Sequence, residues 1–151
     1  MDSVYDCLKL RNQLCFPLYA CSRETIKQYK PYLDDLGLTY TQYITMLVLW
    51  EKKCVTVKSL GDALFLDSGT LTPLLKKMEA MGLILRRRSK EDERNLLVSL
   101  TEAGEALRER AANIPIEMAK RVKLSREETL TLYHILYKLL GREPGALPDP
   151  E

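Results

Sequence analysis

A mainly α-helical chain with one small β-hairpin is the fold that the sequence predicts, on three observations. Two helical patterns, Thr56–Leu66 and Thr70–Met81, are separated only by the break Asp67-Ser68-Gly69, and Gly82 stops the second. A short strand, Leu83–Arg88, follows, with a charged turn, Lys90-Glu91-Asp92-Glu93-Arg94-Asn95, and a returning strand, Leu96–Leu100. Amphipathic helical blocks flank this middle part on both sides. Helix, turn, helix and charged hairpin, so compactly ordered, are the layout of a winged helix-turn-helix.

The first block, residues 8–29, carries Leu10, Leu14, Leu18, Cys21 and Thr25 at spacings of four and three, the repeat of one helix face. Pro17 inside it removes a donor and crowds the Gln13 carbonyl, so a kink or a restart is expected. Pro31 is expected to end the helix, because the residue before a proline avoids the helical basin. Asp34-Asp35-Leu36-Gly37 reads as a turn. Thr41 then caps an apolar helix running to about Lys53, with Tyr43, Met46, Leu47 and Trp50 as its buried stripe.

After the hairpin, Thr101 is a helix N-cap with Glu102 in the first turn, and the helix runs to around Ala112, resuming past Pro115 to about Arg121. Ser125-Arg126-Glu127-Glu128 is a capping box opening a last helix with Leu130, Tyr133, Leu136, Tyr137 and Leu140; Gly141 ends it. The tail, 141–151, rich in proline and glycine, is expected to be disordered. Residues 1–151 therefore read as a single domain, with a winged core over 41–101 and helical blocks over 8–40 and 102–140. The outer blocks have apolar stripes that a small winged core cannot cover, which suggests a homodimer. Paired recognition helices would then meet successive major grooves about 34–36 Å apart.

The net charge of +2 does not by itself announce nucleic acid. Its distribution says more: from Lys76 to Arg94 there are seven basic residues against four acidic ones. A basic face on a nearly neutral chain suits a protein that touches phosphate with one surface. A solvated hairpin is the plain alternative for the basic run alone; the preceding helix pair favours DNA contact, with Arg86 and Arg88 beside the wing. The longest strongly apolar stretch, Ile44–Trp50, is far too short to span a bilayer. The N-terminal residues lack a signal-peptide pattern, so a cytoplasmic location is expected. Four cysteines, at 7, 15, 21 and 54, form no Cys-x-x-Cys pair, and His134 is the only histidine, which argues against a zinc site. No cofactor is expected.

Several segments resemble the MarR family of bacterial transcription regulators, and within it the peroxide-sensing branch. They are Asn12-Gln13-Leu14-Cys15-Phe16, Leu18-Tyr19-Ala20, Lys27-Gln28-Tyr29-Lys30-Pro31, the run Leu66 to Lys76, and Asp92-Glu93-Arg94. The resemblance covers roughly residues 8 to 120. It implies that Ser68, Thr70, Thr72, Pro73, Lys76 and Lys77 lie on the DNA-facing part of the recognition helix. There, hydroxyls and lysines can meet base edges and phosphates. It implies that Arg94 enters the minor groove from the wing tip while Asp92 orients the wing. It further implies that Cys15 is the peroxide-reactive thiol, with Tyr29 and Tyr40 donating hydrogen bonds to its thiolate.

Spacing adds an independent constraint. Cys15 and Tyr29 are 14 residues apart on one helix face, which at 1.5 Å per residue is about 21 Å. They can meet only if a second subunit brings its own helix across, or if the chain kinks severely at Pro17. Pro17 departs from the family, which commonly has an ordinary apolar residue there. It either shifts the sulfur or leaves Cys15 near the start of a restarted helix, where the dipole favours thiolate. The branch's two-cysteine members carry a resolving cysteine in the C-terminal half, whereas here none follows Cys54. Cys15 and Cys21 point to different faces of one helix, so an intrachain disulfide is not expected. Sulfenic acid, then a mixed disulfide with a small thiol, fits better.

Plain readings stand beside these. A cysteine on an apolar helix is usually packing; Cys7, Cys21 and Cys54 are read that way, as are Tyr19 and Tyr43, and His134 as a surface or packing residue. The leading function is a homodimeric repressor that binds a pseudopalindromic double-stranded operator and is released when organic hydroperoxide oxidises Cys15. The alternative is a regulator of the same fold released by a small phenolic or apolar ligand, with Cys15 structural. A thiol peroxidase is disfavoured by the missing resolving thiol pair and the absence of a thioredoxin-like alternation of strands and helices. A hydrolase is disfavoured by the single histidine and the absence of a nucleophile elbow. No enzyme activity is expected.

Overall fold

The computed structural model describes residues 4–143 and Gly145; the expectation for most of the tail lies outside the described residues. The chain falls into two units, one ending at Tyr40 and the other beginning at Thr41.

The first unit opens with two short 3-10 turns, Asp6–Leu8 and Leu10–Asn12. The Asn12 side-chain amide donates to the Asp6 carbonyl at 2.6 Å, and the Gln13 amide donates to the Cys7 carbonyl. Helix α1 then runs from Cys15 to Leu36. The helix expected from residue 8 therefore starts seven residues later. Pro17 does not kink it, because at the third helical position its missing N–H is one that has no intrahelical acceptor anyway. Nor does Pro31 end it. The helix carries the proline for one more turn, reinforced by the Lys30–Asp34 ion pair across it at 2.8 Å and by burial of Leu33 and Leu36. Gly37 ends the helix instead. Its φ of 68° is open to glycine without strain, and the N–H groups of Gly37 and Leu38 return to the Asp34 and Leu33 carbonyls.

The second unit contains most of α2, Tyr40–Lys52, which begins one residue before the expected cap. Tyr43, Met46 and Trp50 are buried as expected, but Leu47 is exposed; Val48 and Leu49 are buried in its stead. Strand β1, Cys54–Thr56, had no sequence signal: three residues are too few to show alternation. Thr56 serves both as its last residue and as the cap of α3, Val57–Leu64, accepting from the Ser59 N–H. Helix α4 spans Ser68–Ala80. Asp67 is its N-cap, accepting from the Thr70 N–H at 2.8 Å, so Ser68 and Gly69 are helical rather than part of the break. Strands β2, Ile84–Arg88, and β3, Leu96–Leu100, form the hairpin. Both outer strands run antiparallel to β3 in the order β1-β3-β2, with Val55 and Arg86 opposite Val98 on its two sides.

Met46, Leu49, Leu60, Leu71, Leu75, Met78, Ile84 and Val98 are fully buried. They come from α2, α3, α4 and the sheet, and each stabilises the fold by about 1.5–3 kcal/mol on area grounds. Helix α5, Glu102–Ala111, closes the unit from the side. Its cap Thr101 accepts from the Gly104 N–H at 3.0 Å and donates to the Gly82 carbonyl at 2.6 Å. The indole N–H of Trp50 donates to the Gly104 carbonyl at 2.9 Å. A Cβ on Gly104 would lie 2.1 Å from the Leu83 carbonyl oxygen, so this approach is open only to glycine.

Two further helices follow: α6, Ile114–Ala119, and α7, Arg126–Leu140, opened by the expected Ser125 capping box and ended at Gly141. No side chain of α7 is buried, and Leu130, Leu132, Tyr133, Ile135, Leu139 and Leu140 are all exposed. Just past it, the Arg142 guanidinium lies 4.1 Å over the Phe65 ring and donates to the Asp62 carbonyl. Phe65 ends α3 in the left-handed conformation, φ 55°.

The packing around Gly104 yields a prediction. Gly104→Ala should cost about 1–3 kcal/mol or more through overpacking, lowering the melting temperature by several degrees. Because Trp50 is the only tryptophan, the same variant should shift the intrinsic emission to the red as the indole bond to residue 104 loosens. A thermal melt read by fluorescence checks both.

Candidate DNA-binding face and thiol site

Helix α4 divides cleanly. Leu71, Leu75 and Met78, at spacings of four and three, face the core, whereas Ser68, Thr70, Thr72, Pro73, Lys76 and Lys77 are all exposed. The residues expected to face DNA thus share the outer surface. Pro73 withholds the N–H that the Gly69 carbonyl would receive in an unbroken helix.

The wing turn is built from short-range polar bonds. The Ser89 hydroxyl accepts from the Glu91 and Asp92 N–H groups, and Ser89 N–H donates to the Asn95 carbonyl at 2.8 Å. Asp92 accepts from the Arg94 backbone N–H at 3.1 Å and from its guanidinium at 3.1 and 3.2 Å. These bonds to Arg94 hold the Asp92 carboxyl below its ordinary 3.8. Asp92 therefore orients Arg94, whose side chain is 90% exposed. Arg88 donates to the Glu93 carbonyl at 2.8 Å, bracing the turn from its own strand. Lys76, Lys77, Arg87, Arg88, Lys90 and Arg94 are all exposed.

Arg86, expected among the DNA-contacting residues, is engaged within the fold. Its guanidinium donates to Glu79 Oε2 at 2.7 and 3.1 Å, and its backbone N–H donates to Glu79 Oε1 at 3.0 Å. Only 20% of the Arg86 side chain is exposed. These hydrogen bonds hold the Glu79 carboxyl below its ordinary 4.5. Glu79 was not legible in the sequence: seven residues across a helix end from Arg86, it matches no local pairing rule. The bracing hydroxyl of Ser89 was legible in principle, as a serine leading a charged run.

Cys15 is the first residue of α1 and is exposed, as are Cys7, Cys21 and Cys54. Tyr29 and Tyr40 are brought together, ring centroids 5.0 Å apart and edge to face. Burial pushes both phenols above their ordinary 10.0, and at Tyr40 the neighbouring Tyr29 adds to this, so both hydroxyls keep their protons at neutral pH. Cys15 does not join them within the chain. Helix α1 is unbroken from Cys15 past Tyr29, so about 21 Å of helix separates the two. Of the two routes the sequence left open, the severe kink falls away. Tyr19 is exposed rather than core, with Arg23 5.4 Å over its ring. His134 is exposed and its Nδ1 lies 2.7 Å from the Leu130 carbonyl.

Among the described residues no group of three or more histidine, cysteine or acidic side chains is placed to hold a metal ion. No described helix is long and apolar enough to cross a membrane. Between α2 and α5–α6 lies an open cleft of about 330 Å³, lined by Tyr43, Leu47, Trp50, Glu51, Arg108, Ala111, Ala112 and Pro115.

Comparison with known proteins places this arrangement. Residues 27–110 match the family model described as transcriptional regulator SarA/Rot. The chain is 55% identical over 140 residues to the organic hydroperoxide resistance transcriptional regulator of Bacillus subtilis (strain 168), covering 93% of this chain and 95% of that one. It is 44% identical over 133 residues to the HTH-type transcriptional regulator SarZ of Staphylococcus epidermidis, covering 88% of this chain and 90% of that one. Among solved structures it resembles reduced AbfR bound to DNA, with a TM-score of 0.74, 36% identity and 89% and 93% of the two chains covered. It likewise resembles overoxidized AbfR bound to DNA, with a TM-score of 0.74, 34% identity and 92% and 98% covered. The winged helix-turn-helix, its exposed basic face and these similarities agree: the chain belongs to the MarR/SarA family of winged-helix transcriptional regulators, in the branch of the organic hydroperoxide resistance regulator.

Proposed function

We propose that residues 1–151 act as one regulatory domain. A homodimer binds a pseudopalindromic operator as a cytoplasmic repressor and is released when an organic hydroperoxide oxidises Cys15. The observation that carries this reading is the split thiol site. Cys15 is exposed at the start of α1, and its expected hydrogen-bond donors, Tyr29 and Tyr40, sit together about two-thirds of the way along the same unbroken helix and just beyond its end. Only a second copy can join them. The exposed apolar residues of α7 and of the N-terminal segment supply surface for that copy. The family relation to a hydroperoxide resistance regulator supports the signal.

The chemistry balances as follows. The Cys15 thiolate attacks the peroxide, the O–O bond breaks, the alcohol leaves after taking a proton, and Cys15 becomes a sulfenic acid. A small thiol then condenses with it, releasing water and leaving a mixed disulfide. The added group stands at the junction of two subunits, so it changes dimer geometry and separates the DNA-contacting faces. In the DNA-bound form, Ser68, Thr70, Thr72, Pro73, Lys76 and Lys77 meet the major groove, Arg88 the backbone, and Arg94, held by Asp92, the minor groove.

A second reading rests on the cleft. Its aromatic floor and the Arg108 side chain at its edge suit a small aromatic or apolar acid, whose binding would release DNA without thiol chemistry.

Two experiments test the proposal. In gel shifts on the gene's own upstream DNA, wild type should release the DNA on addition of organic hydroperoxide and a small thiol. Cys15→Ser should bind equally well and stay bound. Release of both proteins overturns the sensing role of Cys15, and release by aromatic acids in both moves the weight to the cleft. Ile135→Glu places a charge on the exposed apolar face of α7. It should convert dimer to monomer in sedimentation and weaken DNA binding by roughly tenfold or more, because a buried unpaired carboxylate is strongly unfavourable.

A further inference from the structure

We infer that Glu79 is a positioning residue for DNA recognition: its fork with Arg86 locks the recognition helix to the base of the wing, so that both are presented to one duplex in a fixed relation. The inference rests on the reading above that α4 and the wing both contact DNA.

Thr72, Lys76 and Glu79 lie at spacings of four and three, on one stripe of α4, and the first two are exposed on its outer surface. Glu79 thus ends the stripe that would face DNA. A carboxylate there is out of place unless it is neutralised, because it repels phosphate. Arg86 neutralises it with two guanidinium bonds, the fork geometry that makes an arginine–carboxylate pair directional. The third bond, from the Arg86 backbone N–H to Glu79 Oε1, has a separate meaning. Strand β2 is an edge of the sheet, with β3 on its other side. The outward N–H of an edge strand is ordinarily left to water. Here it is taken by a side chain from the recognition helix. The wing is therefore fastened to α4 through both main chain and side chain, at a point two residues before the strand gives way to the turn.

The consequence for recognition is geometric. Arg94 at the tip and Lys76 on the helix are expected to read neighbouring grooves, and the fork adds a polar clamp to the core packing that joins the elements carrying them. Without it the wing retains its hairpin bonds and its core packing but is held less firmly to the helix. Arg86 is then released as an additional mobile cation. A loosened wing with an added cation binds any duplex while discriminating less among sequences.

The test compares wild type, Glu79→Gln and Arg86→Lys on the gene's own upstream DNA and on a length-matched scrambled duplex, over a range of salt. Arg86→Lys conserves net charge and loses only the fork, which separates geometry from electrostatics. Both variants should lower the ratio of specific to scrambled affinity by roughly tenfold, within the range that one positioning contact commands. Glu79→Gln should also steepen the salt dependence on the scrambled duplex by about one phosphate contact. In the free proteins, hydrogen exchange over residues 84–100 should quicken in both variants while α2 and α3 stay protected. An unchanged ratio in both variants, with a specific wild type, overturns this inference alone. So does a loss on both duplexes that merely tracks the folded fraction. A wild type without preference for its own upstream DNA overturns the DNA-binding reading and this inference with it.

Discussion

The approach of α5 to the start of the hairpin is the constraint on which the winged unit depends. Gly104 passes so close to the Leu83 carbonyl that no side chain fits between them. Because it does, the Gly104 carbonyl reaches the Trp50 indole, and the Thr101 hydroxyl reaches back to the Gly82 carbonyl. Three elements, α2, the start of the hairpin and α5, are joined at one point where polar groups are satisfied by each other rather than by water. The sheet register follows, since Thr101 N–H also donates to the Leu83 carbonyl beside the Ile84–Leu100 pair. The outward aim of the wing starts from this junction.

The same economy of short polar bonds gives the hairpin tip its form. A serine hydroxyl, an aspartate and the hairpin's own backbone fold seven residues into a turn that carries an extended arginine. These exposed ion pairs add little to global stability; what they define is direction. At the base of the wing, the Glu79–Arg86 fork does the corresponding work between elements. A helix with an exposed polar face and a strand that leads to the wing tip are each ordinary. Their packing is fastened by one carboxylate with three donors.

The thiol end of the molecule is organised by separation. Helix α1 passes through Pro17 without a break between Cys15 and Tyr29, because that proline falls where no backbone donor is required. The two halves of the proposed sensing site are thereby held apart within the chain, while the N-terminal segment and α7 each carry exposed apolar side chains. In the proposed dimer, a sensor assembled from two copies would tie the state of one sulfur directly to subunit geometry.

Much of this was legible in the sequence wherever the cause is local. The helix-turn-helix, the hairpin, the Thr101 cap, the Ser125 capping box and the stop at Gly141 all follow from side-chain or backbone bonds and conformational preferences within a few residues. So did the exposed polar face of α4, which follows from helical periodicity alone. What escaped depends on neighbours distant in sequence. The burial of Leu33 and Leu36 accompanies a helix that runs past Pro31, against the local preference of the residue before proline. Strand β1 exists because β3 offers it an edge, and three residues carry no period of their own. Arg86, read as one more cation in a basic run, is turned inward by a carboxylate that only the packing of α4 against β2 brings within reach. Local bonding and periodicity determined the elements; packing between them decided which charges face outward and which are held within the fold.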